Sequence, residues 1–385
     1  MIEPIQGDDR HRLVTFVWRA GSETERVAVI GGPLRRWLPR EPFAHEHAMT
    51  RLLESDLWYR TWHVRTDARL IYLLSPNEPL LAAGQHEANE GQPTRSLDPL
   101  NPRRFSYPQY PEGPQLLTSA VSLVELPDAP PQPFVRPRPN APAGKVEMFR
   151  LPSRVLGNER RVWVYTPPGD APIQQPLGLA LLLDGWEYLH FIPTPTILDN
   201  MIHGGLIPPL AAVLLAIPDR GRELSCHPPF VDFLAQELLP FVRERYRVAS
   251  DPGQTIVAGA SLGGLAAAYA GLQRPDLFGN VLSQSGSFWW KPEGDAEAEW
   301  LCRQFAARPR APLRFYLEIG LLEDLPSTAD APGMLTVNRH LRTVLLAKGY
   351  PVHYVEFNGR HDFCNWQGGM CDGLYALVGR NRQTG

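Results

Sequence analysis

The chain has almost no excess charge of either sign. Thirty-eight Lys and Arg stand against 41 Asp and Glu, a formal net charge of −3. No global positive field follows, so attraction to nucleic acid or to an anionic membrane surface is not expected. Cysteine is scarce. Cys226, Cys302, Cys364 and Cys371 are too few in 385 residues for a disulfide scaffold, and no CxxC pair suggests zinc. Buried small hydrophobes are their expected role. Long apolar runs are missing as well. The longest, near 206–217, contains Pro208 and Pro209 and falls short of the ~20 apolar residues a bilayer span needs. The opening MIEPIQGDDRHRLVTF has no basic stretch followed by an apolar one, so no signal peptide is expected. Together these absences predict a soluble, cytoplasmic protein with reduced thiols.

Proline is abundant: 40 residues, about twice the typical ~5%. Seven of them fall between Pro127 and Pro142. Such a stretch is a stiff linker or a strapped-down crossover, and it marks a boundary. The expected division is a β-domain over residues 1–125, a proline-rich linker over 126–145 and an α/β domain over 146–385. In the first part, short β-branched and aromatic runs, such as Arg12–Trp18, Val27–Ile30, Trp58–Val64 and Leu70–Leu74, alternate with Gly, Pro and Asn turns. They predict a small immunoglobulin-like β-sandwich. After Lys145, apolar strands alternate with helical patterns. The strands are Arg161–Tyr165, Leu177–Leu183, Ala211–Ile217, Gln254–Ala258, Val281–Gln284, Leu313–Ile319 and Val352–Phe357. The helices are Phe230–Tyr246, Leu262–Leu272, Met334–Lys348 and Met370–Val378. This is the pattern of a three-layer α/β fold with a mostly parallel sheet.

Gly259-Ala260-Ser261-Leu262-Gly263 joins a predicted strand to a predicted helix. That context turns a common G-x-S-x-G match into a nucleophile elbow, with Ser261 as nucleophile. A serine hydroxyl needs a base. His361 follows the last strand in a loop, whereas His353 lies within that strand and reads as structural. The acid should follow the strand Leu313–Ile319, where Glu323 and Asp324 are equal candidates; Asp362, next to His361, is a weaker one. Two backbone N–H groups would hold an oxyanion: that of Leu262, and that of Trp186 in Asp184-Gly185-Trp186.

These segments resemble the enterochelin (enterobactin) esterases of the esterase-D-like branch of α/β-hydrolases. The matching pieces are LLLDGWEYL, RELSC leading into FLAQELLPFVRERY, GASLGGLAAAYAGLQRPDLFGNVLSQSGSFWW, EIGLLED and GRHDFCNWQGGM. VTFVWRAG, ESDLWYRTWHV and SLDPLNP match that family's own N-terminal domain. The resemblance implies hydrolysis of ferric triscatecholate trilactone siderophores in the cytoplasm. It implies that Glu323 rather than Asp324 is the acid. It implies no cofactor and no protein-bound metal, the iron entering with the substrate. Two departures bear on the choice of siderophore: Arg360 stands where the family has glycine, and Trp366 lies beyond Cys364-Asn365.

A polyanionic, aromatic ligand calls for cations and ring faces near the serine. Arg222, Lys291 and Arg360, with Trp290, are the candidates; Arg51 and Trp58 are possible rim residues of the β-domain. Two other readings are an esterase for feruloyl or acetyl esters and a catalytically silent siderophore binder.

Overall fold

The computed structural model describes residues 1–34, 44–78, 94–110, 119–169, 175–326 and 331–380. The chain forms two compact units that are not contiguous in sequence. The first comprises 1–131 with two later excursions, 321–325 and 357–364; the second comprises 132–320, 326–356 and 365–385.

The first unit holds two four-stranded antiparallel sheets. One is ordered β1-β2-β5-β4 and consists of β1 (Ile2–Ile5), β2 (Asp8–Arg19), β4 (Thr50–Arg51) and β5 (Leu57–Arg65). The other is ordered β3-β6-β8-β7, from β3 (Val27–Gly31), β6 (Arg69–Pro76), β7 (Arg104–Ser106) and β8 (Ala120–Glu125). Alternation along β2 sends Val14 and Phe16 inward, where they join Val27, Val29, Leu70, Tyr72 and Leu74 of the other sheet in one core. Phe16 stands edge-on to Tyr72 at 4.6 Å and to Trp62 at 5.3 Å, pairs worth ~0.5–1.5 kcal/mol each beyond area burial. The SLDPLNP motif serves as a peg: Asp98 accepts from the Tyr72 hydroxyl at 2.5 Å, and its amide donates to Ser122 Oγ at 2.8 Å. Trp58 lies in this core rather than on a rim, and Arg51 donates to the Ser55 carbonyl.

The second unit is built on an eight-stranded sheet ordered β16-β15-β14-β13-β11-β12-β10-β9. Its strands are β9 (Lys145–Ser153), β10 (Asn158–Thr166), β11 (Gly178–Leu183), β12 (Leu210–Leu215), β13 (Thr255–Ala260), β14 (Asn280–Gln284), β15 (Arg314–Gly320) and β16 (Val352–Phe357). From β12 through β11, β13 and β14 to β15 the pairing is parallel, while β10 joins β12, and β9 joins β10, antiparallel. The central strands are apolar and buried on both faces, as a covered parallel sheet requires. Helices α1 (Gly185–His190), α2 (Thr194–His203), α3 (Arg220–Glu223), α4 (Pro228–Phe233), α5 (Leu239–Arg245), α6 (Leu262–Gln273), α7 (Trp300–Ala307), α8 (Met334–Ala347) and α9 (Phe363–Val378) complete the chain. No helix among the described residues is long and apolar enough to cross a membrane.

Two expected helices differ. Phe230–Tyr246 is interrupted at Leu234–Leu238 by a wide π-type turn, just before Pro240, which has no N–H to continue the ladder. The last helix starts at Phe363 rather than Met370, because its first turns mix polar and glycine residues that hide the apolar stripe. From residue 132 onward the proline-rich segment is strapped down: Asn200 Nδ2 donates to the Phe134 and Arg136 carbonyls, each at 2.8 Å.

A buried ion pair ties α3 to β10. Arg160 Nη1 lies 2.6 Å from Glu223 Oε2, with side-chain exposures of 0% and 3%, and the guanidinium covers the Phe233 ring. Removing one partner strands the other charge out of water. Glu223→Ala is expected to destabilise the unit by about 3–5 kcal/mol in urea unfolding, whereas a shift under about 1 kcal/mol would show the pair to be solvated.

Candidate active site

Ser261 follows β13 directly and precedes α6. Its φ of 59° and ψ of −122° lie where side chains are rarely found, at a cost of order 1–3 kcal/mol. The turn tolerates no bulk: a Cβ on Gly259 would run into the backbone of Gly263. Bonds on both sides hold the strained residue. Its amide donates to the Gln284 carbonyl at 2.9 Å, and its carbonyl accepts from the Ser287 amide at 3.0 Å. The Ser261 hydroxyl lies 3.3 Å from that of Ser287, a buried residue that sequence reasoning passed over.

Beneath the elbow runs a buried polar network. Gln284 accepts from the Tyr188 hydroxyl at 2.7 Å and donates to Glu318 Oε1 at 2.6 Å and to the Trp366 carbonyl at 2.8 Å. Trp366 Nε1 donates to Ser285 Oγ at 3.0 Å, so this tryptophan is a strut of the network. Leu262 is the first residue of α6 and Trp186 the second of α1, so neither amide has an acceptor within its own helix. Gly185 is required by contact: a Cβ there would lie 2.5 Å from the Leu215 amide nitrogen of β12. Asp184, at φ 60°, is held by Arg220, whose Nε and Nη2 donate at 2.9 and 3.0 Å. Burial, and then the Asp184 charge, push the Glu187 carboxyl up to about 7.

Glu323 and His361 lie on the two excursions that belong to the first unit. Backbone bonds from Leu321 N to Phe357 O, 2.8 Å, and from Leu322 N to Gly359 O, 3.1 Å, zip the excursions together. The result is a hydrogen bond of 2.6 Å between His361 Nδ1 and Glu323 Oε2. The carboxylate side chain is 3% exposed and the imidazole 40%. The excursions are rooted in the sandwich. Asn358 Nδ2 donates to Asp67 Oδ1 at 2.9 Å, its carbonyl accepts from the Arg69 amide, Leu322 packs on one sandwich core, and Cys364 is fully buried in a second hydrophobic cluster. A cavity of about 330 Å³ beside the imidazole is lined by Ile71, Tyr107, Arg360, His361, Asp362 and Phe363. Arg360 thus lines a cavity with two aromatic rings, Tyr107 and Phe363, that carry no sequence signature.

His353 is exposed, its ring stacked on Tyr316. Arg222 is exposed, and among the described residues its guanidinium has no hydrogen-bond or ion-pair partner; Glu223 and Asp219, which could have engaged it, bond Arg160 and the Arg222 amide. Lys291 Nζ donates to the Ala296 carbonyl at 3.2 Å. Trp290 packs edge-on against Trp300 at 5.8 Å. Asp362 turns to the Cys364 amide, which it accepts at 3.0 Å.

Asp362 gives this region a pH dependence. Burial pushes its carboxyl up to about 6, against the pull of the Cys364 bond and the Arg360 charge. A raised folded-state value means that the folded form binds the proton more tightly than the unfolded chain does. The resulting stability is complete below about pH 4 and is lost as pH rises through 6. Asp362→Asn is therefore expected to gain on the wild type by up to roughly 3 kcal/mol between pH 4 and pH 7.5 in denaturant melts. A pH-independent difference would contradict the burial.

Comparison with known proteins covers both units. A family model described as "Putative esterase" matches residues 153–377, and one described as "Enterochelin esterase, N-terminal" matches 13–135. An iron(III) enterobactin esterase from a strain of Escherichia coli is 32% identical over 94% of this chain and 90% of its own length. A crystal structure of the ferric enterobactin esterase of Salmonella typhimurium aligns with TM-score 0.76 and 31% identity, covering 98% of this chain and 96% of that one. A crystal structure of the Shigella flexneri enterobactin esterase in the presence of enterobactin aligns with TM-score 0.75 and 30% identity, covering 98% and 95%.

Proposed function

We propose that this chain, which belongs to the enterochelin esterase family, is a serine esterase that hydrolyses the lactone bonds of ferric catecholate siderophores of the enterobactin type and so releases iron. One observation carries the chemistry: the buried Glu323 carboxylate accepts His361 Nδ1 at 2.6 Å. That bond favours the tautomer with its proton on Nδ1, in which Nε2 serves as the base. The near full-length similarity to enterobactin esterases supports the substrate.

Ser261 Oγ attacks a lactone carbonyl as His361 Nε2 takes the hydroxyl proton. Glu323 stabilises the imidazolium. The Leu262 and Trp186 amides hold the oxyanion. The tetrahedral intermediate collapses, the seryl alkoxide of the trilactone leaves, and His361 returns the proton to it. Water, deprotonated by the same imidazole, then frees the acid from Ser261. This chemistry needs no resident cofactor; the iron is part of the substrate.

Arg360, Tyr107 and Phe363, lining the cavity beside His361, supply the cation and ring edges that a catecholate face calls for. Arg222, Lys291 and Trp290 are proposed as further contacts to the substrate. We place the reaction in the cytoplasm. All four cysteines are free thiols, as a reducing compartment favours.

Ser261→Ala is expected to retain ferric enterobactin binding while hydrolysis falls below ~1% of wild type; product analysis showing more would remove Ser261 from the chemistry. Faster turnover of feruloyl esters than of ferric enterobactin in the same assay would displace the substrate assignment. Asp67→Ala loosens the loop that carries His361. It is expected to lower kcat by ~10- to 100-fold with a smaller change in KM, because misplacement of a base by about 1 Å costs that much.

A further inference from the structure

Three potential ligands converge on the outer face of the sandwich, none of them a residue with a part in the proposed reaction. His11 lies on β2 and His63 on β5, and the register pairs His11 with Arg65 and Leu13 with His63. The two histidines are therefore diagonal neighbours on one face of the sheet. It is the face opposite to that of Val14 and Phe16, which fill the core. Their rings stack with centroids 4.4 Å apart and 20° between planes. Asp8, at the start of β2, meets both: its Oδ2 is 2.9 Å from His11 Nδ1 and 3.5 Å from His63 Nε2.

We propose that Asp8, His11 and His63 bind one divalent transition-metal ion of the Zn²⁺ class, with water completing the coordination. The donor set is the nitrogen-and-carboxylate mixture such ions take from proteins. The spacing fits. Ligand atoms ~2.0–2.2 Å from a tetrahedral ion stand roughly 3.3–3.5 Å apart. The three atoms here lie within 4.8 Å of one another, with two separations of 2.9 and 3.5 Å. Small side-chain rotations suffice to admit the ion.

The site is also oriented from behind. Asp8 Oδ1 accepts from the amides of Arg10 and His11 at 2.9 and 3.1 Å, which leaves Oδ2 for the imidazoles. Such supporting bonds accompany metal-ligating carboxylates. Neighbouring cations are engaged elsewhere. Arg65 is paired with Asp67, and Arg12 donates to the Asp9 and His11 carbonyls. Glu3, opposite Leu13 in the register, adds a further negative charge to this face.

The test is calorimetric titration of ZnCl₂ into the untagged full chain, stripped with chelator and exchanged into a non-chelating buffer. One equivalent is expected to bind at pH 7.5. That equivalent should weaken at least ~10-fold in His63→Ala and in Asp8→Asn. His63 is exposed, so His63→Ala should melt at the wild-type temperature in the absence of metal. No zinc uptake by the wild type, or uptake by His63→Ala equal to the wild type's, would overturn the proposal and leave Asp8 as a simple acceptor for two imidazoles.

Discussion

The proposed chemistry turns on one short hydrogen bond, from His361 Nδ1 to Glu323 Oε2. A carboxylate with 3% exposure is costly to keep charged unless something donates to it. The imidazole fills that role and is itself turned by the bond, so burial of one side chain sets the direction of the other. Neither residue sits in a regular element. Both hang from short segments whose backbones bond to each other and whose flanks are seated in the sandwich through Asn358, Leu322 and Cys364. The N-terminal domain, devoid of any catalytic constellation in its own sequence, is thereby the mount for two thirds of the proposed triad.

The proposed nucleophile is held by different means. Main-chain bonds to Gln284 and Ser287 keep Ser261 in its strained backbone conformation. Positive φ recurs at Asp184, Ser261 and Ser285, each just beyond a strand of the central sheet. Such strain persists only when its surroundings over-determine it. The network of Tyr188, Gln284, Glu318, Tyr316 and Trp366 provides that support, with each buried polar atom met by another.

Much of this was legible in the sequence because the signals are local. β11 to β15 were bounded to within one or two residues, since fully buried strands are unbroken apolar runs, and β16 to the residue; β10 starts three residues before its expected position, and β9, exposed at every second residue over most of its length, carried no expectation. The elbow was legible because only small residues fit it. Spacing left the acid ambiguous, because Glu323 and Asp324 are adjacent and of one chemistry, and only the resemblance to a known family pointed to Glu323; in the structure it is Glu323 that meets His361 Nδ1. Trp58 shows the opposite limit. An aromatic side chain looks the same in a string of letters whether it faces a ligand or, as Trp58 does, a hydrophobic core. Contacts formed by side chains distant along the chain, such as Arg160 with Glu223 and Asp67 with Asn358, leave no periodicity to read.

The interleaving of the two units limits what recombination can do with them. A crossover at the proline-rich segment inherits a sandwich from one parent and the segments 321–325 and 357–364 from the other. Shuffled progeny would mismatch Asp67 with Asn358 and the sandwich apolar surface with Leu322 and Cys364. The front of the gene and two short patches near its end are thus constrained to diverge together, as a lock and key cut on one blank.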